Sequence, residues 1–145
     1  MDIRPSNLEI EGLTVVIGDA QESLKTFENK FESVSSLHSI EHFGLGRYGD
    51  SMDPEGHEKG LLNIADCVTL GGNLYVSFPI GEFGVEFNSQ RIIPPNWPIE
   101  LLKNFELKEF VLIPWKGKPI FGLNPNDVNC KITGQAGLYN FKRTR

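Results

Sequence analysis

Residues 33–56 read SVSSLHSIEHFGLGRYGDSMDPEG, and the way this run divides decides the fold. With Glu32 in front, Glu32 to Leu37 is a β-prone segment, weakened by its serines. Two histidines, a glutamate and glycines then follow in a long loop. Asp53-Pro54-Glu55 supplies an N-cap, a proline at the first helical position and an acid in the first turn. The run therefore predicts strand, long loop and helix start. A polar loop between a strand and a helix is where a site is expected.

Working outward, Leu61, Ala65 and Val68, with Leu62 and Ile64 beside them, give an apolar stripe at helical spacing. Gly71-Gly72 is expected to stop that helix, and Asn73 to Pro79 (NLYVSFP) to follow as a strand. Upstream, Leu13 to Ile17 is apolar and β-branched, which predicts a strand buried on both faces. Gly18-Asp19-Ala20 ends it, and Gln21 to Phe27 reads as a short helical or turn segment. This alternation predicts a mostly parallel α/β sheet. Further on, Gly81 to Arg91 reads as a second loop and Ile99 to Phe105 as a short helix. Leu107 to Pro114 and Gly137 to Lys142 read as strands, joined by a long turn-rich antiparallel connection. The 145 residues are expected to form a single domain.

A net charge of -5 argues against nucleic acid or an anionic membrane as the main partner. No leading apolar segment and no span of membrane length is present in the sequence, so a cytoplasmic protein is expected. Cys67 and Cys130 are too few for a disulfide framework and are expected as free thiols.

Three patterns carry candidate chemistry. His38-Ser-Ile-Glu41-His42 has the H-x-x-E-H form of an inverted zinc-protease motif, which needs both histidines on one helix. The following glycines argue against that helix and no third ligand stands out, so no metal is expected. The alternatives are that the histidines order the loop or line a pocket. Gly44-Leu-Gly46-Arg-Tyr-Gly49 matches G-x-G-x-x-G, but it lies six residues beyond the strand, and the acid at suitable spacing, Asp66, falls inside the helix. Glycines shaping a tight loop account for it. Asp19, at a strand end, either faces a ligand or caps a turn. Arg47, Asp50 and Asp53 are expected to order the loop through one another.

The runs D-I-R-P, G-D-A, S-x-L-H-x-I-E-H-F-G-L-G-R-Y-G-D, D-P-E-G-H, L-Y-V-S-F-P-I-G and V-E-F-N-x-x-R resemble an uncharacterised family of domains of unknown function first named for Caenorhabditis proteins. That family looks like a branch of the class I S-adenosylmethionine (SAM) dependent methyltransferases, a Rossmann-like α/β fold with a C-terminal antiparallel strand. The resemblance covers nearly the whole chain.

What the resemblance implies is specific. Asp2 is the acid that would bind the ribose hydroxyls of SAM. Asp19 and Ala20 would approach the adenine, and Ser36 and Leu37 would face the methionine part and the acceptor. His38, Glu41 or His42 could take a proton from that acceptor, which is expected to be a small molecule or glycan. The first strand and glycine-rich loop of the fold have no counterpart before Asp2, so the chain is expected to be its C-terminal two-thirds. On this view it is a truncated methyltransferase-like protein, inactive by itself and weak or silent toward SAM. The rival expectation is a non-catalytic interaction module or split-protein subunit, completed by a missing N-terminal fragment or by self-association. In the sheet, Leu13 to Ile17 is expected to pair parallel with Glu32 to Leu37. Asn73 to Pro79 should lie on the other side, with Gly137 to Lys142 antiparallel between it and Leu107 to Pro114.

Overall fold

A computed structural model describes residues 1–145 throughout. Its main elements are β1 (Phe31–Leu37), α1 (Gly56–Asp66), β2 (Val68–Ile80), β3 (Gly84–Val85), β4 (Arg91–Ile92), α2 (Trp97–Leu101), β5 (Phe105–Ile113), β6 (Ile120–Phe121) and β7 (Gln135–Arg143). The principal sheet has the order β1-β2-β7-β5-β6, and β3 and β4 form a separate two-stranded ribbon. β1 and β2 are parallel, β7 is antiparallel to both β2 and β5, and β6 folds back antiparallel on β5. β1, β2 and β5 thus share one direction. The expected order of these four long strands holds, including the insertion of β7.

Register explains which residues form the core. Leu74, Val76 and Phe78 of β2 lie opposite Phe141, Tyr139 and Gly137 of β7, and Tyr139 lies opposite Phe110 of β5. Alternation along each strand puts these side chains on one face, where Leu61 and Ala65 of α1 join the same buried cluster. The ring of Tyr139 stacks on Phe78 at 5.3 Å and on Phe141 at 5.9 Å. Its hydroxyl donates to the Pro95 carbonyl at 2.8 Å, tying β7 to the approach to α2. Tyr75 and Leu138, on the opposite face, are exposed. No helix is long and apolar enough to cross a membrane.

Several local expectations need correction. Leu13 to Ile17 is not a strand of the sheet and is not paired with β1. It makes one parallel bridge, Asp2 to Ile17, and Leu13 and Ile17 are 51% and 52% exposed. An apolar β-branched run is a strand only where a neighbour takes up its backbone groups. Here the neighbour is Asp2, whose N–H donates to Val16 and whose carbonyl accepts from Gly18, both at 3.1 Å.

The helix after the loop starts at Gly56 because the Asp53 carboxylate takes the Glu55 N–H at 2.9 Å, a turn rather than a helical cap. It ends at Asp66, ahead of Gly71-Gly72. β2 begins at Val68 and runs through both glycines, where the pairing with β1 skips register and Gly71 has φ 78°. The helix expected at Ile99 to Phe105 is one turn, Trp97–Leu101, since Phe105 already belongs to β5.

Candidate active site

β1 ends where the chain must turn. The His38 N–H donates to the Ser77 carbonyl of β2 at 2.9 Å, the last step of the ladder. His38 itself is in the left-handed region, φ 50°, which is uncommon for a residue with a β-carbon. Ser36 and Ser39 hydroxyls meet at 2.6 Å across this turn. The chain then winds into a short 3-10 turn, Ile40–His42, that buries Ile40 and Glu41 completely. The long helix required by the zinc-protease motif is absent, as the glycines foretold.

Glu41 Oε1 lies 3.2 Å from His38 Nδ1, and Glu41 Oε2 has no partner. Burial pushes the Glu41 carboxyl above its ordinary range, with the neighbouring imidazoles pulling the other way. His42 Nδ1 is 2.9 Å from the Ser89 carbonyl, and its ring meets Tyr48 edge-on at 5.5 Å.

The glycine loop is folded around its acids, which act separately and not as one set with Arg47. Asp50 accepts from the backbone N–H groups of Gly44, Gly46 and Tyr48 at 2.8, 3.2 and 3.1 Å. Burial raises the Asp50 carboxyl, but these amides outweigh it and the net shift is downward. Asp53 pairs with Lys59, and Arg47 donates instead to the Asn88 and Ser89 carbonyls. Gly44, Gly46 and Gly49 all have positive φ, so the glycines serve the loop. Arg91, which closes the run V-E-F-N-x-x-R, supplies a clamp that its sequence context does not reveal. It is 2% exposed, and its guanidinium donates to the carbonyls of Phe43, Asp53 and Pro54.

Between this wall and the Asp2–Gly18 segment lies a cavity of about 610 Å³, inside the roughly 300–1,000 Å³ typical of small-molecule sites. Asp2, Asp19, Ala20, Ser36, Leu37, His38 and His42 all line it. Glu41 stands behind the two histidines. Residues far apart in sequence thus converge on one space. Their carboxylates are not equally free. Asp2 accepts from Arg4 three times, from the backbone N at 2.9 Å, Nε at 3.0 Å and Nη2 at 2.9 Å. The Arg4 hydrogen bonds hold its carboxyl at about 2. Asp19 accepts from the Gln21 N–H at 2.9 Å, the turn-capping role weighed above. Arg4 and Tyr48 also line the cavity, with the guanidinium 5.2 Å from the Tyr48 ring centre.

Residues 10–109 match the family described as "Caenorhabditis protein of unknown function, DUF268". No curated protein matches the chain in sequence. Solved structures share its fold. A SAM-dependent methyltransferase of Thermotoga maritima, described as a possible histamine N-methyltransferase, superposes with a TM-score of 0.58 at 16% identity, over 92% of this chain and 65% of its own. The 1,6-didemethyltoxoflavin-N1-methyltransferase of Burkholderia thailandensis, solved with S-adenosylhomocysteine, gives 0.53 at 13% identity, over 81% and 46%. The [4+2]-cyclase SpnF gives 0.57 at 13% identity, over 89% and 55%. The chain therefore spans from about half to about two-thirds of the length of these structures.

Proposed function

Since the chain belongs to the DUF268 family and folds as the class I methyltransferases do, we propose that its cavity is a SAM site and that the domain serves methyl transfer to a small acceptor. The observation that carries this reading is convergence. The positions that the resemblance assigned to cofactor, Asp2, Asp19, Ala20, Ser36 and Leu37, line the same cavity as His38 and His42. Asp19 and Ala20 would flank the adenine, Asp2 the ribose, and Ser36 and Leu37 the methionine part. Bound there, SAM would supply an electrophilic methyl group. The chain's own contribution is position, holding an acceptor in line with that methyl beside β1.

The residues fit the group with one strain. Asp2 is already held by Arg4, so ribose hydroxyls must share or displace that guanidinium. We therefore propose that residues 1–145 alone bind weakly. Calorimetric titration with SAM and S-adenosylhomocysteine should give dissociation constants between about 10 µM and 1 mM, roughly 7 to 4 kcal/mol. Ala20→Trp, which fills the cavity, should weaken binding at least about tenfold, a change of roughly 1.4 kcal/mol. No saturable heat at millimolar ligand, or binding indifferent to Ala20→Trp, would sink the SAM assignment. Affinity well below 10 µM would refute the weakness.

A second reading rests on β1, which is hydrogen-bonded to β2 on one side only. Its other edge offers backbone groups to an added strand, as an interaction module would. That the fold also serves a cyclase shows that architecture alone does not choose the chemistry. Concentration-dependent dimerisation abolished by Ser35→Pro would support this second reading; a monomer at all concentrations opposes it.

A further inference from the structure

At the end of β1 the hydrogen bonding separates three groups that the sequence left equivalent. His42 Nδ1 faces the Ser89 carbonyl at 2.9 Å. A carbonyl only accepts, so this nitrogen carries the proton. His42 Nε2 then holds the lone pair, 4.0 Å from Glu41 Oε1 and beyond hydrogen-bond reach. With Glu41 ionised, the side-chain donor that reaches its carboxylate is His38 Nδ1–H, at 3.2 Å. A neutral imidazole has one proton to place, so His38 Nε2 is an acceptor. That nitrogen makes no protein hydrogen bond, and the half-exposed ring lines the cavity. The backbone holds the ring there, with His38 left-handed and its N–H fixed to Ser77. Glu41 is 1% exposed while the His38 ring is half-exposed, so water screens the pair from the histidine side only.

We propose that His38 is the general base of this site and that Glu41 is its positioning residue, fixing the tautomer that turns Nε2 to the cavity. The acceptor class follows: a nucleophile bearing a proton, a hydroxyl or an N–H. This deepens the methyl-transfer reading and rests on it. As the acceptor's lone pair forms its bond to the methyl carbon, the carbon–sulfur bond of the sulfonium donor breaks and its electron pair stays on sulfur. The acceptor's proton passes to His38 Nε2. The imidazolium formed is neutralised by Glu41 through Nδ1–H, the arrangement that pairs a base with an orienting carboxylate. His42 holds the same tautomer, but its ring is 18% exposed against 52% for His38 and its Nε2 lies 4.0 Å from Glu41 Oε1, so the base role goes to His38. The other charged side chains that line the cavity with His38 are Asp2, Arg4, Asp19 and Asp50.

The test needs no acceptor. Long-range proton–nitrogen correlation spectra of the chain at about pH 8.5, where an ordinary imidazole is neutral, read each tautomer directly. His38 should show a protonated Nδ1 and a bare Nε2. Glu41→Leu, which removes the acceptor along with its unpaired oxygen, should return His38 to the Nε2–H form that free imidazole side chains prefer. Glu41→Gln, whose amide oxygen still accepts, should keep the wild-type form. Carbethoxylation at His38 Nε2 by diethyl pyrocarbonate should fall about tenfold in Glu41→Leu, since a charge-assisted hydrogen bond can hold a tautomer ratio of that order. A wild-type His38 protonated at Nε2 overturns the base assignment. A His38 signature unchanged in Glu41→Leu overturns the role of Glu41. Neither result depends on SAM, so this inference and the SAM assignment fail by different measurements.

Discussion

Replacing Arg91 with methionine should destabilise the protein by about 3 kcal/mol, as three bonds from a charged donor, each worth roughly 1.5–3 kcal/mol at best, are offset by the cost of burying the charge. The structure sets the terms of that figure. The guanidinium is buried, has no carboxylate in hydrogen-bond contact, and reaches carbonyls at both ends of the glycine loop, Phe43 on one side and Asp53 and Pro54 on the other. The latter two, at 3.2 and 3.3 Å, are long and contribute less. Burial lowers the Arg91 pKa, with the charges of Asp50 and Asp53 working against it. Methionine keeps much of the stem's packing and removes the desolvation cost, which trims the loss. For a domain of this size about 3 kcal/mol corresponds to roughly 6–12 °C in Tm. Arg91→Lys should fall nearly as far, because one ammonium cannot span both ends of the loop. Urea denaturation at unchanged m-value measures the loss. Hydrogen exchange should show where it falls, at the Asp53 and Gly56 amides that bond Gly44 and Asp53 at 3.0 Å. A loss under about 1 kcal/mol, within the range of an ordinary surface substitution, would refute the clamp, as would unchanged exchange at those amides.

Three further outcomes follow from the same geometry. Gly44→Ala should cost about 2–4 kcal/mol in urea denaturation, combining strain with overpacking, because Gly44 has φ 76° and a β-carbon there would sit 2.0 Å from the Asp53 carbonyl oxygen. His57 is stacked on Trp97 at 5.2 Å, and burial, then the Arg91 charge, lowers its pKa from 6.5. The unfolded chain thus takes the proton first as pH falls. Stability is full above about 6.5 and declines as pH drops toward the lowered folded value. His57→Phe should flatten that part of the acid-side slope in unfolding measured at several pH values; an identical slope refutes the assignment. Tyr139→Phe should cost about 1–2 kcal/mol by the same assay, since it leaves the Pro95 carbonyl without its buried donor.

The sheet was largely legible because its signals are local. Asn73 to Pro79 and Gly137 to Lys142 carry alternation and turn punctuation, and the resemblance supplied their order. Leu13 to Ile17 misled for a physical reason. Composition reports that a run could be a strand, while pairing depends on what lies beside it. Here a single bridge to Asp2 stands between that run and solvent. Val68 misled similarly: one apolar residue serves a helical stripe or a strand start equally well, and Gly71, which reads as a stop, is tolerated within β2 as an irregularity at positive φ.

The loop that carries the candidate site was legible, but the hydrogen bonding within it was not. His38, Glu41 and His42 are adjacent in sequence, so the loop could be named, yet their differences come from distant partners. Ser89 fixes His42 from 47 residues away, and Arg91 grips Phe43 from 48. Arg91 was marked only as the end of the V-E-F-N-x-x-R run that carries the resemblance, and nothing local showed what it would grip. Glu41 did carry a faint signal, since it sits between Ile40 and Phe43, two apolar residues that pull the turn inward. An acid drawn into a core by its neighbours must find a donor or hold a proton. The donor that reaches it is His38, the more exposed of the two histidines, so the burial of Glu41 and the orientation of His38 are linked. On the reading proposed above, that coupling would turn an ambiguous H-x-x-E-H run into an oriented base.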